Sequence, residues 1–388
     1  MATTLPAGPA PRAPYHGPVH PLVALDLPLG PELEAAIRGL VDQRSAFCVL
    51  DQRLAPRAQE RQLAALGATH VLDRNGRHDR RSGQGVDQEV GLVMLTSGSS
   101  GEPKAAELTW DALAASARIT QATLRQRGER PVWFPVLPPS HIGGLAVILR
   151  AVLDEADLWW GDDTDFAAAR RAGVTHLSVV RTHLARHSVE GFTAVLVGGA
   201  RPPADRPPNV IATWGMTETG SGVVYDGTAL PEVELAVVAG ELLVRSPTLL
   251  RSYRSQPRPV ATGPDGRADW FPTGDAAELR DGRLRVHGRI GWVIVTGGEK
   301  VWPDDLEAAL ATVDGVRDVA VTGVEDPEWG QHVVALVVGD GNNLDDALRA
   351  AAAERIGPWA KPKEIRYVAA LPRTATGKIR RHLLATLG

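Results

Sequence analysis

A short apolar run followed by a loop of small residues constrains this chain more than any other stretch. Residues 92–95 are rich in strand-forming side chains, and they lead into the residues Thr96, Ser97, Gly98, Ser99, Ser100 and Gly101. Glycines permit turns that point backbone N–H groups at an anion, hydroxyls add donors, and Lys104 adds a mobile positive charge. The P-loop pattern is absent because Lys104 does not directly follow the second glycine. An ordinary surface loop is the alternative, but a strand before it and a helix over 109–127 after it, with Thr109 as the N-cap, predict a phosphate-binding loop.

Composition sets broader limits on the chain. It has 388 residues, of which 44% are hydrophobic and 23% charged, and these values predict a globular protein with two domains. A formal net charge of −4 gives no reason to expect nucleic acid as a partner. The single cysteine, Cys48, excludes an intrachain disulfide and is expected to be a buried apolar residue. There is no apolar run suited to membrane insertion, and residues 1–20 read as a flexible leader without a signal-peptide core, so we expect a cytoplasmic enzyme.

Strands and helices alternate along the first part of the chain, which predicts an α/β domain with a largely parallel sheet. We expect helices at 31–43, 55–66, 109–127, after residue 140, near 165–172 and near 182–187, and strands at 46–50, 70–72, 92–95, 132–137, 157–160, 176–180, 193–197 and 210–213. Residues 74–87 are expected to form a polar loop. After residue 229 the pattern changes to β-hairpins, and the C-terminal part reads as α+β, with helices at 303–312 and 344–355 and strands at 316–323, 332–338 and 364–368.

Polar residues in four later segments are candidates for chemistry. The segments WGMTET, WFPTGD, GR and PRTATGK contribute Trp214, Thr217, Glu218, Asp275, Arg289 and Lys378. A carboxylate just past a strand can hold Mg²⁺, a tryptophan can stack on a base, and an aspartate expected in a turn can accept hydrogen bonds from ribose hydroxyls. Each has an ordinary alternative: a solvated glutamate, an Asx-turn aspartate, a surface arginine or a solvated lysine.

In their order, these motifs resemble the adenylate-forming superfamily of acyl-CoA synthetases, adenylation domains and luciferases. The resemblance rests on TSGSSGEPK, WGMTET, WFPTGD, GRIGWVIVTGGEKVWP and PRTATGK, and it runs from about residue 90 to the end. The segments LPPSHIGGLAVILRAVL, SVVRTHLARH, LVGGARPP and DPEWGQHVVALVV are similar to the short actinobacterial o-succinylbenzoate–CoA ligases of menaquinone synthesis. The implied fold is α/β, with an N-terminal domain (21–288) of mixed and parallel sheets plus a β-rich subdomain, a hinge at 289–291, and a small mobile α+β lid (292–388).

The resemblance implies an acid–thiol ligase that uses ATP and Mg²⁺ first and CoA second. A carboxylate joins the α-phosphate and expels pyrophosphate, so two repelling anions must be neutralised and held in line. The implied ligands are the loop from Thr96 to Gly101 with Lys104 for the β- and γ-phosphates, Thr217 for the α-phosphate, Glu218 for Mg²⁺, Trp214, Gly215, Met216, Gly198, Gly199 and Ala200 for adenine, and Asp275 and Arg289 for ribose. Lys378 is implied to stabilise charge during adenylation. Rotation of the lid would then present Gly297, Gly298, Glu299 and Lys300 to the thiol.

The acyl pocket is implied by the same resemblance. His141 would lie near the acyl group and guard thiol entry, and the candidate wall residues are Ser140, Gly144, Arg181, Thr182, Gly199, Ser221 and Gly222. The stretch around His141 offers no acid to pair with an amine, which favours a carboxylic acid without an α-amino group. A second substrate carboxylate needs a cation, a donor or water, and Arg181 is one candidate, with a surface arginine as its alternative.

Departures from the family pattern leave alternatives open. Gly291 and Trp292 replace the usual charged residues at the hinge, and Ala105 replaces the usual glycine, but no catalytic group is lost. The alternatives are a CoA ligase for another aryl or short-chain acid, an acyl-AMP ligase that loads a carrier protein, and a degenerate nucleotide-binding partner protein. A homodimer is an open expectation for the assembly.

Overall fold

The computed structural model describes residues 19–80, 82–96, 104–124, 130–154, 156–199, 205–339, 344–373 and 379–387. Within these ranges the helices are α1 Pro31–Asp42, α2 Pro56–Leu66, α3 Trp110–Leu124, α4 Ile142–Leu153, α5 Phe166–Arg171, α6 Arg181–Arg186, α7 Pro303–Leu310 and α8 Asp345–Arg355. The strands are β1 Val23–Leu25, β2 Phe47–Val49, β3 His70–Asp73, β4 Gly76–Asp79, β5 Val90–Thr96, β6 Lys104–Thr109, β7 Val132–Phe134, β8 Asp157–Leu158, β9 His176–Val179, β10 Ala194–Val197, β11 Val210–Met216, β12 Ser221–Tyr225, β13 Thr228–Ala229, β14 Glu234–Val238, β15 Glu241–Arg245, β16 Ser252–Tyr253, β17 Gln256–Pro257, β18 Phe271–Arg280, β19 Arg283–Arg289, β20 Ile294–Thr296, β21 Glu299–Val301, β22 Val316–Asp326, β23 Gly330–Gly339 and β24 Glu364–Tyr367.

The chain forms two compact units, and unit 1 comprises residues 1–234 and 245–260. It contains a mixed eight-stranded sheet in the order β17-β16-β6-β5-β2-β1-β3-β4 and a seven-stranded sheet in the order β13-β12-β11-β10-β9-β7-β8. In the first sheet the central strands are parallel and the outer strands at both ends are antiparallel. In the second sheet the strands from β11 to β8 are parallel, and β12 and β13 are added antiparallel at one end. The loops after β5 and β11, where chemistry was expected, both follow strands with parallel partners, as ligand sites do in open α/β sheets.

Unit 2 comprises residues 235–244 and 261–388. It contains the four-stranded sheet β14-β15-β18-β19 and a five-stranded sheet in which β21-β20-β23-β22 are joined by β24 on β23. The predicted hairpins and the predicted α+β pattern are confirmed. The predicted leader, the domain boundary at residue 288 and the hinge at 289–291 stay predictions, because the division into compact units does not test where a chain pivots.

Three local predictions were wrong. Part of the expected polar loop at 74–87 forms β4, which pairs with β3 as a hairpin. The segment before the long helix forms β6, which pairs antiparallel with β5, so the small-residue loop does not lead directly into the helix. Asp275, expected in a turn, lies inside β18.

The core of unit 1 explains why α4 is apolar on every side. Its residues Leu145, Ile148 and Leu149 join a cluster with residues of β1, β2, β5 and α1, and the helix is buried from Gly144 to Ala151. Cys48 is fully buried, as expected, and burial raises the pKa of its thiol to about 12, although the charge of Arg254 opposes this. Within the described part of the chain, no helix is long and apolar enough to span a membrane.

Candidate active site

The phosphate-loop stretch is held by a β-hairpin. Thr96 ends β5 and Lys104 begins β6, and the two residues face each other in the antiparallel register. Thr96 is buried and Lys104 is half-buried. The predicted phosphate ligands between them, Ser97, Gly98, Ser99, Ser100 and Gly101, lie outside the described residues. Past the hairpin, the Thr109 hydroxyl accepts a hydrogen bond from the N–H of Ala112 at 3.1 Å, which confirms the predicted N-cap of α3.

The second motif forms a tight turn at the end of β11. Trp214, Gly215 and Met216 belong to the strand itself, which runs farther than predicted, and residues 217–219 form a single 3₁₀ turn. The Thr219 hydroxyl closes this turn by accepting from the Met216 N–H at 2.9 Å and donating to the Ser221 carbonyl at 2.7 Å. The adjoining β12 approaches so closely that a Cβ at Gly215 would lie 2.1 Å from the Ser221 oxygen. The turn therefore presents Thr217 and Glu218 from a rigid base.

Glu218 and Lys104 converge on one aromatic side chain that the sequence did not single out. The Tyr253 hydroxyl donates a hydrogen bond to Glu218 Oε1 at 2.9 Å. The Lys104 ammonium lies over the Tyr253 ring, 5.4 Å from its centre. Glu218 is only 6% exposed, and its backbone carbonyl accepts from the Leu250 N–H at 2.8 Å. Glu218 and Lys104, two of the groups predicted to bind ATP and its metal, thus contact the same side chain.

One carboxylate at this position suits a magnesium ion. Mg²⁺ is usually held by one or two carboxylates together with substrate phosphates and water, so a protein cage is not required. The described residues contain no group of three or more His, Cys, Asp or Glu side chains arranged to hold a metal. The Glu218 carboxyl group is buried, and the Tyr253 hydroxyl donates to its Oε1. A carboxylate ligand at this position fits Mg²⁺ that arrives with a nucleotide.

His141 lies at the start of α4 and contacts an arginine from a distant loop. His141 is the N-cap residue of α4, and its Nε2 lies 3.3 Å from Arg53 Nη2. Asp51 accepts hydrogen bonds from Arg53 at 2.7 and 2.6 Å. Burial opposes ionisation of Asp51, but the hydrogen bonds and charge of Arg53 outweigh it and lower the pKa of the Asp51 carboxyl. An arginine can only donate, so in this contact the His141 Nε2 is the acceptor.

The residues beside His141 form a close-packed corner. Ser140 is buried, and its hydroxyl has no hydrogen-bond partner in the described part of the chain. Gly144 is in contact with the preceding loop, since a Cβ there would lie 2.4 Å from the Pro138 carbonyl. An unpartnered hydroxyl and a position restricted to glycine are both features expected of a pocket wall.

A buried arginine is the most informative charge near the predicted acyl pocket. Arg150, in the middle of α4, is 3% exposed, and its Nη2 donates to the Ser221 hydroxyl at 3.0 Å. Its guanidinium lies 4.7 Å from the centre of the Trp133 ring, and its Nη1 has no partner among the described residues. Burial lowers the pKa of Arg150, with the nearby Tyr225 acting in the opposite direction. A buried charge without an acidic partner is costly, and a bound anion would relieve that cost.

The other residues predicted to line the acyl pocket or to contact adenine differ in their exposure, and those that the structure describes lie in unit 1. Gly198 is half-buried, and a Cβ at this position would lie 3.1 Å from the Thr213 hydroxyl. Gly199 is exposed, and its φ is +81°. Gly222 packs against Thr213, while Arg181 and Thr182 are exposed at the start of α6. Ala200 lies outside the described residues. The exposure of Arg181 leaves Arg150 as the better placed cation for a buried anion.

In unit 2, the two predicted ribose ligands are bonded to each other. Asp275 and Arg289 are paired residues of β18 and β19, and Arg289 Nε lies 3.0 Å from Asp275 Oδ1. Arg289 Nη1 also donates to the Thr273 carbonyl at 2.6 Å. Gly274, with φ +74°, provides the left-handed residue that precedes the buried aspartate. The arginine therefore holds the Asp275 carboxylate in one orientation, and ribose binding stays a prediction.

The Gly-Gly motif of unit 2 forms the turn between β20 and β21. Gly297 and Gly298 both have positive φ, and a Cβ at Gly297 would lie 2.6 Å from the Trp329 ring. Glu299 and Lys300 are exposed on β21. The predicted adenylation lysine, Lys378, lies outside the described residues.

At the predicted hinge, Trp292 ends a short 3₁₀ turn and the Arg381 guanidinium stacks on its ring at 5.1 Å. Arg381 also pairs with Glu307 at 2.8 Å. Trp292, which follows the predicted hinge, is thus held by a cation–π contact with another residue of its own unit.

Two family models match the chain. The model of the AMP-binding enzyme matches residues 80–254, and the model of the AMP-binding enzyme C-terminal domain matches residues 305–378. A relative described as a probable 2-succinylbenzoate–CoA ligase, from Mycobacterium tuberculosis (strain CDC 1551 / Oshkosh), is 39% identical over 337 residues, which cover 78% of this chain and 86% of the relative.

Solved structures share the fold. The o-succinylbenzoate CoA synthetase from Bacillus subtilis in complex with its acyl-adenylate intermediate aligns with a TM-score of 0.80 at 23% identity, covering 94% of this chain and 88% of that chain. The same synthetase in complex with ATP and a magnesium ion gives a TM-score of 0.78 at 22% identity, covering 94% and 89%. The predicted mixed α/β fold class is confirmed.

Proposed function

This chain belongs to the family of AMP-binding enzymes, alongside the 2-succinylbenzoate–CoA ligases, and we propose that it joins 2-succinylbenzoate to CoA at the expense of ATP. The products would be the acyl-CoA, AMP and pyrophosphate, formed through an acyl-AMP, as in menaquinone biosynthesis. The reaction class follows from the family and from the relative that is 39% identical. The observation that supports the choice of a dicarboxylic acid is the buried Arg150, whose Nη1 has no hydrogen-bond partner in the described part of the chain and whose Nη2 donates to Ser221.

In the first half-reaction, the protein's task is to bring two anions together. Lys104, with the loop that precedes it, would neutralise the β- and γ-phosphates, and Thr217 would donate to the α-phosphate. Glu218 would hold Mg²⁺, which when bound supplies charge neutralisation for the triphosphate. Lys378 would act where negative charge develops on the oxygens of the reacting centre. Binding both substrates in one orientation removes much of the entropic part of the barrier.

The acid itself would be held by α4 and β12. We assign the second substrate carboxylate to Arg150 in place of the sequence-based candidate Arg181. Arg181 is exposed, whereas Arg150 is buried and has no acidic partner among the residues that the structure describes. Ser221, Ser140 and Gly144 would complete the wall. Helix α4 is apolar apart from Arg150. This favours an aryl acid whose second carboxylate reaches the Arg150 guanidinium.

The second half-reaction would transfer the acyl group to the thiol of CoA. His141 would lie beside the acyl group, with Arg53 directing its Nε2. In unit 2, the turn Gly297–Gly298 would line the thiol approach, since a Cβ at Gly298 would meet no described atom within 4 Å. A homodimer in the cytoplasm completes the proposal, and light scattering of the purified protein would test the dimer by its mass.

Release of AMP and pyrophosphate tests this proposal. With Mg-ATP and 2-succinylbenzoate, purified protein should release AMP and pyrophosphate over many turnovers only when CoA is also present. Turnover should be poor with benzoate or short-chain acids. Activity confined to those other acids would retain the ligase chemistry and reject the substrate. A requirement for a carrier protein in place of CoA would reject the acceptor.

A further inference from the structure

Tyr253 lies between the two unlike charges on which ATP handling is proposed to depend. Its hydroxyl donates to the Glu218 carboxylate at 2.9 Å, and its ring is 5.4 Å from the Lys104 ammonium. The tyrosine is 8% exposed, so it is not an incidental surface neighbour. One side chain therefore contacts a predicted phosphate ligand by its face and a predicted metal ligand by its hydroxyl.

Strand pairing determines the contact between Tyr253 and Lys104. In the antiparallel pairing of β16 with β6, Tyr253 lies opposite Ala106. The Arg254 N–H extends this pairing by donating to the Ala105 carbonyl at 2.9 Å. Residues two apart in a strand share a face, so Lys104 is the diagonal neighbour of Tyr253 on the side of Ala106. The ring is placed under the ammonium by the register of the sheet.

A separate backbone contact determines the distance to Glu218. The Leu250 N–H donates to the Glu218 carbonyl at 2.8 Å, which ties the segment before β16 to the turn after β11. Gly220, with φ +67°, packs against the same segment, because a Cβ there would lie 3.0 Å from the Thr248 carbonyl. Both of these contacts join backbone groups, so they hold Tyr253 near Glu218 independently of Lys104.

The Tyr253 phenol can contact both the Glu218 carboxylate and the Lys104 ammonium without neutralising the charge of either group. A buried carboxylate requires a donor, and a neutral hydroxyl satisfies it while leaving the full negative charge available to a cation. A ring face attracts the ammonium without taking up any of its hydrogen-bond donors. Without the phenol, Glu218 and Lys104 would be expected to pair directly, and each would then have to be released before ATP could bind.

We propose that Tyr253 is a positioning residue that keeps Glu218 and Lys104 apart, so that the carboxylate is available to Mg²⁺ and the ammonium to phosphate. This inference rests on the proposed function, because it assumes that the site binds Mg-ATP. It predicts that the magnesium requirement depends on Tyr253 only while Lys104 is present.

The test is nucleotide binding without the acid, so that no turnover is involved. ATP is titrated calorimetrically at a series of free Mg²⁺ concentrations into the parent, Tyr253→Phe, Lys104→Met and the double variant. Without the phenol, Glu218 would pair with Lys104 and would have to be released before Mg²⁺ binds, so Tyr253→Phe should raise the half-saturating Mg²⁺ about tenfold in the parent. In the Lys104→Met background the same change should have less than about a twofold effect, because no ammonium remains to capture Glu218.

A matched control removes a comparable hydrogen bond elsewhere. The Tyr367 hydroxyl in unit 2 donates to Asp345 Oδ1, also at 2.9 Å, so Tyr367→Phe loses the same kind of interaction. This control should leave the half-saturating Mg²⁺ unchanged. Tyr253→His offers a ring and, at about pH 8.5, where an ordinary imidazole is neutral, a neutral hydrogen-bond donor. This variant should recover most of the parental Mg²⁺ affinity, and it keeps the inference testable if the phenylalanine variant folds poorly.

The outcomes separate this inference from the proposed function. A parent protein that binds no nucleotide with Mg²⁺ would overturn both. A parent that binds Mg-ATP, with Tyr253→Phe indistinguishable from it, would overturn the inference alone. An equal effect of Tyr253→Phe in both Lys104 backgrounds would also overturn it, since the tyrosine would then orient Glu218 without separating the charges.

Discussion

Replacing Arg150 with methionine separates the binding role of this arginine from its structural role. Methionine has a similar length and suits the apolar surroundings of α4, but it removes the charge and the hydrogen bond to Ser221. In the empty protein that charge is a cost, because burial lowers the pKa of Arg150 and its Nη1 lacks a partner among the described residues. We therefore expect Arg150→Met to raise the free energy of unfolding by about 1–3 kcal/mol.

Substrate binding should change in the opposite direction. The unpartnered Nη1 can form one charge-assisted hydrogen bond to a substrate carboxylate, and such a bond contributes about 1.5–3 kcal/mol. Loss of that bond corresponds to an increase in the KM for 2-succinylbenzoate of about tenfold to a hundredfold. The KM for ATP should not change, because the proposed phosphate ligands do not include Arg150. A more stable protein with a weaker affinity for one substrate is an unusual combination, and simple misfolding cannot produce it.

The assay compares 2-succinylbenzoate with analogues that lack one carboxylate, namely 4-oxo-4-phenylbutanoate and 2-butanoylbenzoate. With whichever analogue the parent activates, the substitution should change kcat/KM by less than about threefold, because the partner of Arg150 is missing. The control is Arg118→Met, which removes an exposed arginine that pairs with Glu232. Equal losses for the diacid and the analogue, or a large rise in the KM for ATP, would refute the assignment of Arg150 to the second carboxylate.

Three further predictions concern other parts of the chain. Replacing Lys378 with alanine should slow adenylation about a hundredfold to a thousandfold and leave calorimetric ATP binding intact, and turnover equal to the parent would disprove its role. Gly215→Ala should lower the unfolding free energy in urea by about 1–3 kcal/mol, because its Cβ would lie 2.1 Å from the Ser221 oxygen, whereas Gly39→Ala in α1, where a Cβ meets nothing, should not. Burial, reinforced by Arg150, lowers the pKa of His176 to about 4 from 6.5, so the folded state resists its protonation. The free energy of unfolding should therefore be unaffected by His176 above about pH 6.5 and should fall by up to about 3 kcal/mol as the pH drops towards 4. His176→Gln should flatten this pH dependence in urea titrations at several pH values.

Much of the fold could be predicted because the apolar pattern and the motifs agree. The amphipathic helix α1 and the strands before the two loops of unit 1 carry strong periodic signals. By contrast, β6 was missed because Lys-Ala-Ala-Glu-Leu-Thr favours a helix by intrinsic preference, and only pairing with β5 and β16 makes it a strand. Asp275 was expected in a turn for a similar reason, since its Gly-Asp pair signals a turn locally while β19 pairs across it.

The candidate site was predictable where chemistry follows a motif and unpredictable where it depends on packing. Arg150 did leave a signal, because LAVILRAVL is apolar on every side of a helix and its one arginine must then be buried. Tyr253 left none, since its contact with Glu218 joins residues 35 positions apart through a sheet edge that no local pattern indicates. Arg53 is likewise far from His141 in the chain, and only the tertiary fold brings the two side chains within 3.3 Å.

The most direct test of the account is a single-turnover experiment with rapid quenching. Enzyme in excess over 2-succinylbenzoate is mixed with Mg-ATP, and the acyl-AMP is followed by mass spectrometry before and after CoA is added. We expect 2-succinylbenzoyl-AMP to accumulate without CoA and to convert to the CoA thioester when CoA is added, with one AMP released for each thioester. Absence of an acyl-AMP, or formation of ADP in place of AMP, would contradict the central claim that this chain activates the acid by adenylation.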